Sequence, residues 1–145
     1  MKLFALALVA IIAASCGSGG SPSQQQALNV ALWITQYGMV DVKTLQGDFQ
    51  ASANALSNGL PKVAKANCTK LAQDTSAMLK QPLPKAEPIA KDWKTTVTDS
   101  NTFASQCLSA IATNSSSEAS QASNTAATVT DDITIVSNDI GELVG

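Results

Sequence analysis

Aspartates are the side chains in this sequence best suited to chemistry, because the chain contains no histidine. Without histidine there is no Ser-His-Asp triad and no Cys-His pair, and the commonest transition-metal ligand is missing. Carboxylates could still act, since two that converge can hydrolyse a bond and a larger set can hold a cation. Seven aspartates each come directly before a core position of a predicted helix and so flank the seams between helices: Asp41, Asp48, Asp74, Asp92, Asp99, Asp132 and Asp139.

Two interpretations of these aspartates stay open. In the first, they form acidic grooves that serve a carboxylate- or cation-dependent enzyme. In the second, they are solvated residues at the boundary of the core, as charged side chains mostly are. We favour the second, so the sequence predicts no catalytic residue, no metal site and no cofactor.

The three cysteines give the other chemical signal. Cys16 closes an apolar run, Leu3–Ala14, that follows the positive charge of Lys2. Twelve residues are too few to cross a bilayer, which takes about 20, but they suit the hydrophobic region of a signal peptide. The residues before the cysteine, Ala13-Ala14-Ser15, are small.

This N-terminal segment resembles the signal peptide of bacterial lipoproteins, with its lipobox cysteine. The resemblance covers residues 1–16 and implies cleavage before Cys16 and attachment of lipid to it. It also implies that the protein is exported and anchored to the cell membrane or the outer membrane. The alternative is an ordinary secretory signal that leaves Cys16 as an incidental thiol.

Cys68 and Cys107 remain as a pair if Cys16 carries lipid. An exported protein meets oxidising conditions, in which disulfides form and persist. Both cysteines fall on core positions of predicted helices that a short connection joins. We therefore expect a Cys68–Cys107 disulfide, the alternative being two buried free thiols.

Helical periodicity and breaking residues predict four helices. The first begins near Ser21-Pro22 and ends before Asn58-Gly59, and the second runs from Pro61 to the proline-rich stretch 81–84. The third begins at Pro88 and breaks at 114–117, and the fourth extends to Leu143 after a Ser115–Glu118 capping box. The segment 128–136 could alternatively form a strand, because it is rich in β-branched residues.

These elements predict an all-α fold, an antiparallel (up-down) four-helix bundle with one inter-helix disulfide. The expected organisation is a signal peptide at 1–15, a lipidated cysteine with a flexible tether at 16–21, and the bundle domain at 22–145. The predicted seam of the first helix is Leu28, Ala31, Thr35, Gly38, Val42, Leu45, Phe49, Ser52 and Leu56.

A second apolar stripe on the first helix lies away from this seam: Val30, Trp33, Tyr37 and Val40. Large apolar side chains off the seam can mark a contact surface for a partner or ligand. The alternative is that a long helix buries two sides against two neighbours.

The charge of the chain restricts its partners. Loss of Lys2 with the signal changes the net charge from −2 to −3, and the chain has no arginine. A nucleic-acid partner is therefore not expected, because it requires a basic surface. We expect a membrane-anchored, non-enzymatic binding module of the cell envelope, whose partner is an envelope protein, a cell-wall polymer or a small apolar ligand.

Overall fold

The computed structural model describes residues 24–144, and within this range all regular structure is helical. Helix α1 has three consecutive segments, the α-helical Gln24–Trp33, the π-helical Ile34–Gly38 and the α-helical Met39–Ser57. Helices α2, α3 and α4 span Pro61–Met78, Ile89–Thr113 and Ser116–Val144. The prediction of four helices is confirmed, and the alternative of a strand at 128–136 is wrong, because this segment lies within α4.

The π-helical segment changes which residues of α1 face the core. Before and at the start of this segment, Val30 and Ile34 are buried, whereas the predicted seam residues Leu28 and Thr35 are exposed. A π turn accommodates one more residue than an α turn, so the buried face shifts by one position along the chain. The predicted seam is thus wrong before Gly38, and Leu45 and Phe49 confirm it afterwards.

The ends of the helices follow the predicted signals. Gly59 has a φ of +63° after α1, and Pro61 is the first residue of α2. Asn114 ends α3 in the left-handed conformation, with a φ of 51°. The backbone N–H of Glu118 donates to Ser115 Oγ at 3.3 Å, which confirms the N-cap of α4.

Two aromatic pairs connect α1 with α3 through the core. The ring centroids of Trp33 and Trp93 lie 5.6 Å apart and those of Phe49 and Phe103 lie 5.1 Å apart, both edge to face. Much of the remaining core consists of small residues. Four buried hydroxyl groups each donate to the carbonyl four residues earlier in the same helix: Ser52, Thr75, Thr96 and Ser100. Each of these buried polar groups therefore has a hydrogen-bond partner.

The disulfide connects Cys68 of α2 to Cys107 of α3. Both cysteines are fully buried among core residues. The predicted pairing is confirmed. It links two helices across a core that small residues fill. Such residues bury little apolar area, so the covalent link contributes a larger share of the stability.

Candidate contact surface and acidic seams

The second apolar stripe of α1 does not form one continuous surface. Val30 and Trp33 are buried, Tyr37 is half-buried and Val40 is exposed. Val30 and Trp33 therefore belong to the core, and this corrects their prediction as contact residues. The reason is the π-helical segment, which turns these positions inward.

Trp33 is held from two sides. Its Nε1–H donates to the backbone carbonyl of Pro82 at 2.8 Å, and its indole meets the ring of Trp93. Gly38 lies beneath the indole, since a Cβ added to this glycine would stand 2.7 Å from Trp33 Cζ3. Trp33, Gly38 and the connection between α2 and α3 thus form one packed unit.

Three exposed apolar residues follow one side of α1. Leu28 and Leu32 are one helical turn apart, and Val40 comes after the π-helical segment. We call these three residues the outward strip. The sequence prediction placed Leu28 in the seam, because it extended the seam unbroken through 34–38, and it did not single out Leu32.

A groove between α1 and α4 lies beside the outward strip. Its volume of about 200 Å³ is below the ~300–1,000 Å³ of most small-molecule sites. Its lining comes from both helices: Met39, Val42, Lys43, Gln46, Ser137 and Ile140.

The seven aspartates all lie half-buried beside the helix–helix seams, as predicted. Between α3 and α4 they form two acidic pairs, Asp92 with Asp139 and Asp99 with Asp132, close enough to share a hydrogen bond. As the residue number rises by seven on α3, the partner number falls by seven on α4. Two further pairs continue this register: Gln106 with Thr125, which carries no charge, and Thr113 with Glu118, which carries one.

The acidic pairs lack a hydrogen-bond donor. Asp132 Oδ2 and Asp139 Oδ2 are buried without a partner, whereas Thr125 Oγ1 donates to Gln106 Oε1 at 2.7 Å in the next pair. Burial raises the pKa of Asp132, and the facing carboxylate of Asp99 raises it further. Burial likewise raises the pKa of Asp139, and the negative charge of Asp92 raises it further. A proton on Asp132 or on Asp139 would supply the missing donor in its pair.

Between α1 and α2, a lysine side chain lies between two of the acids. Lys70 Nζ lies 2.6 Å from Asp48 Oδ2 and 2.7 Å from Asp74 Oδ2. A hydrogen bond from Lys70 lowers the pKa of Asp74. Hydrogen bonds to Asp48 and Asp74 in turn raise the pKa of Lys70. Burial still raises the pKa of Asp48, because it outweighs the attraction of Lys70. Burial also raises the pKa of Asp41, partly offset by a hydrogen bond with Gln81.

The described acids do not cluster in the way that a metal site requires. Among residues 24–144, no three His, Cys, Asp or Glu residues are grouped so that they could hold a metal ion. The space beside Asp92 and Asp132 measures about 20 Å³, enough for a single water molecule. The space beside these two carboxylates is thus too small for a substrate.

Comparison of the chain with protein-family models, with curated proteins and with solved structures found no match. None of the helices described at 24–144 is both long enough and apolar enough to cross a membrane. Cys16, the predicted signal peptide at 1–15 and the tether at 16–21 lie outside the described residues.

Proposed function

We propose that this protein is an exported, lipid-anchored helical bundle that binds a partner in the cell envelope without catalysing a reaction. The buried Cys68–Cys107 disulfide carries the proposal. Disulfides of this kind form and persist outside the reducing cytosol. The described domain is therefore suited to an oxidising compartment.

Cysteine parity supports the lipid anchor. The disulfide uses two of the three cysteines and leaves Cys16 without a partner in the chain. An unpaired cysteine in an exported protein is either modified or reactive. The apolar run before Cys16 and the small residues next to it favour modification by lipid, and two acyl chains would hold the protein stably at the membrane.

The bundle is proposed to run up and down, each helix antiparallel to the next. Contacts between successive helices support this order, because a higher number on one helix meets a lower number on its neighbour in every case. The contacts are Asp48–Lys70 and Ala51–Asn67 for α1 and α2, Cys68–Cys107 and Thr75–Asn101 for α2 and α3, and the acidic pairs for α3 and α4.

Binding is proposed to take place on α1 and not at the acids. The outward strip exposes Leu28, Leu32 and Val40, and Tyr37 lies half-exposed near them. The alternative of a carboxylate enzyme is supported by the Asp99–Asp132 pair, which could hold one proton between two acids as a general acid does. The space of about 20 Å³ beside Asp132 argues against it.

The experiment is fractionation of cells that express the full chain. Cys16→Ser should move the protein from the washed membrane fraction to the soluble fraction, because the lipid attachment atom is gone. Ser21→Ala, which changes a polar residue past the anchor, should leave it in the membranes. Wild-type protein found in the soluble fraction would refute the anchor.

A further inference from the structure

The first part of α1 differs from the rest of the protein in its charge. No charged residue occurs from Leu3 to Val40, and all lysines and acids of the mature chain lie at Lys43 or beyond, or at Asp41. The segment Gln24–Val40 is therefore a charge-free stretch of helix. Such a surface can approach lipid without the cost of desolvating a charge.

The outward strip lies on the side of α1 that faces away from the core. Leu28 and Leu32 each stand two positions from the buried Val30, and Val40 stands two positions from the buried Gly38. Residues two apart on a helix point in nearly opposite directions. The exposed fractions of Leu28, Leu32 and Val40 are 48%, 55% and 64%, so that about half or more of each residue is free for contact.

The acidic pairs of the α3–α4 seam and the strip are on different sides of the domain. Trp33 meets Trp93 and Phe49 meets Phe103, so α3 lies across the core from the outward face of α1. The acidic pairs lie on the α3–α4 seam. A membrane in contact with the strip would thus face the charge-free stretch of α1, in a protein whose mature net charge is negative.

The length of chain before α1 brings the strip within reach of the membrane. Seven residues, 17–23, separate Cys16 from Gln24 and span at most about 25 Å when fully extended. The strip itself extends about 18 Å along the helix, from Leu28 to Val40. A lipid on Cys16 would hold the start of α1 within about 25 Å of the lipid surface, close enough for the strip to reach it.

We propose that the outward strip of α1 lies against the phospholipid surface, so that the bundle rests on the membrane along its first helix. This inference rests on the proposed function, because the anchor supplies the proximity, and it names the phospholipid surface of the envelope as the partner that the strip contacts. The contact orients the domain. It keeps the acidic α3–α4 seam directed away from the bilayer and available to the envelope space.

The test uses the native lipidated protein in phosphatidylcholine vesicles whose acyl chains carry bromine, which quenches tryptophan fluorescence on contact. Leu32→Trp places a reporter on the strip. Ile135→Trp is the matched control, because Ile135 is 47% exposed but lies beside Asp92 and Asp132 on the α3–α4 seam. Trp33 and Trp93 are present in both variants, so the difference between the variants reports the added residue alone.

We expect brominated lipid to quench the tryptophan at position 32 by roughly twofold or more relative to unbrominated lipid, as for a helix buried a few ångströms into the headgroup region. The tryptophan at position 135 should not respond. Equal responses at both positions, or no response at position 32 in protein that floats with the vesicles, would overturn the membrane contact and leave the anchor intact. Protein that does not float with the vesicles would overturn both.

Discussion

Gly38 provides the sharpest test of how α1 is packed. It is helical, with φ −52° and ψ −52°, so alanine fits its backbone conformation. In an open helical position this substitution stabilises a protein by about 0.5–1 kcal/mol. At Gly38 the new Cβ would stand 2.7, 3.1 and 3.3 Å from three carbons of the Trp33 ring. Carbon atoms in contact prefer about 3.5–4.0 Å.

The Trp33 ring has little freedom to move aside. Its hydrogen bond to the Pro82 carbonyl and its contact with Trp93 fix it from both ends. Overpacking of this kind costs about 1–3 kcal/mol, and loss of the indole hydrogen bond would add about 1 kcal/mol. After the gain from the helix backbone is subtracted, Gly38→Ala should destabilise the fold by about 1–3 kcal/mol.

Gly47→Ala is the matched control, because Gly47 lies in the same helix with nothing within 4 Å of its added Cβ. Thermal unfolding followed by circular dichroism measures both variants. At about 4 °C per kcal/mol for a domain of this size, Gly38→Ala should lower the Tm by roughly 4–12 °C. Gly47→Ala should raise it by roughly 2–4 °C. If Gly38→Ala raised the Tm as Gly47→Ala does, the packing of Trp33 against Gly38 would be refuted.

Two further predictions concern the disulfide and the acidic pairs. Reduction should lower the free energy of unfolding by about 4 kcal/mol, the chain-entropy value for a loop with a sequence separation of 39. Urea unfolding of wild type and of Cys68→Ser/Cys107→Ser, each with and without reductant, measures this change. An unfolding midpoint of wild type that reductant leaves unchanged would contradict the prediction. The pKa values of Asp132 and Asp139 are raised above 3.8, so the folded protein keeps these protons to higher pH than the unfolded chain. Their contribution to stability is therefore present below about pH 4 and is lost as the pH rises through the raised values. In urea unfolding between pH 4 and 7, Asp132→Asn/Asp139→Asn should reduce this loss of stability. Glu87→Gln, which changes an exposed acid, should not reduce it. If stability fell equally steeply with pH in both variants, the pairs would not share protons.

The helices and their seams could be predicted because their signals are local. Apolar spacing, Pro61, Asn58-Gly59 and the Ser115 cap each act within a few residues. The same spacing placed all seven aspartates beside the seams and both core cysteines on them. A disulfide then followed from cysteine parity and from the compartment that the N-terminal residues imply.

The sequence left open whether Val30 and Trp33 turn inward, because their burial depends on contacts that are distant in the sequence. The hydrogen bond of Trp33 to Pro82 spans 49 residues. The π-helical segment that permits it has no strong sequence signal apart from a glycine within a helix. An unbroken α-helical register therefore placed Leu28 and Thr35 in the core and the tryptophan outside it.

The pairing of the acids required the register between helices. The sequence placed Asp92 and Asp139 at seam edges but did not say which carboxylates meet. The turn at Asn114-Ser115 sets that register, since Thr113 pairs with Glu118 and each further pair follows one heptad along both helices. Like charges meet in two of these pairs, an arrangement that helical periodicity alone does not reveal.

The intact mass of the native protein extracted from membranes, with and without reductant, tests the lipid-anchored bundle most directly. We expect the mass of residues 16–145 plus acyl groups. We also expect reduction to add the mass of the hydrogens taken up by Cys68 and Cys107. A mass without acyl groups would contradict the anchor and with it the proposed function, and a mass unchanged by reductant would contradict the disulfide.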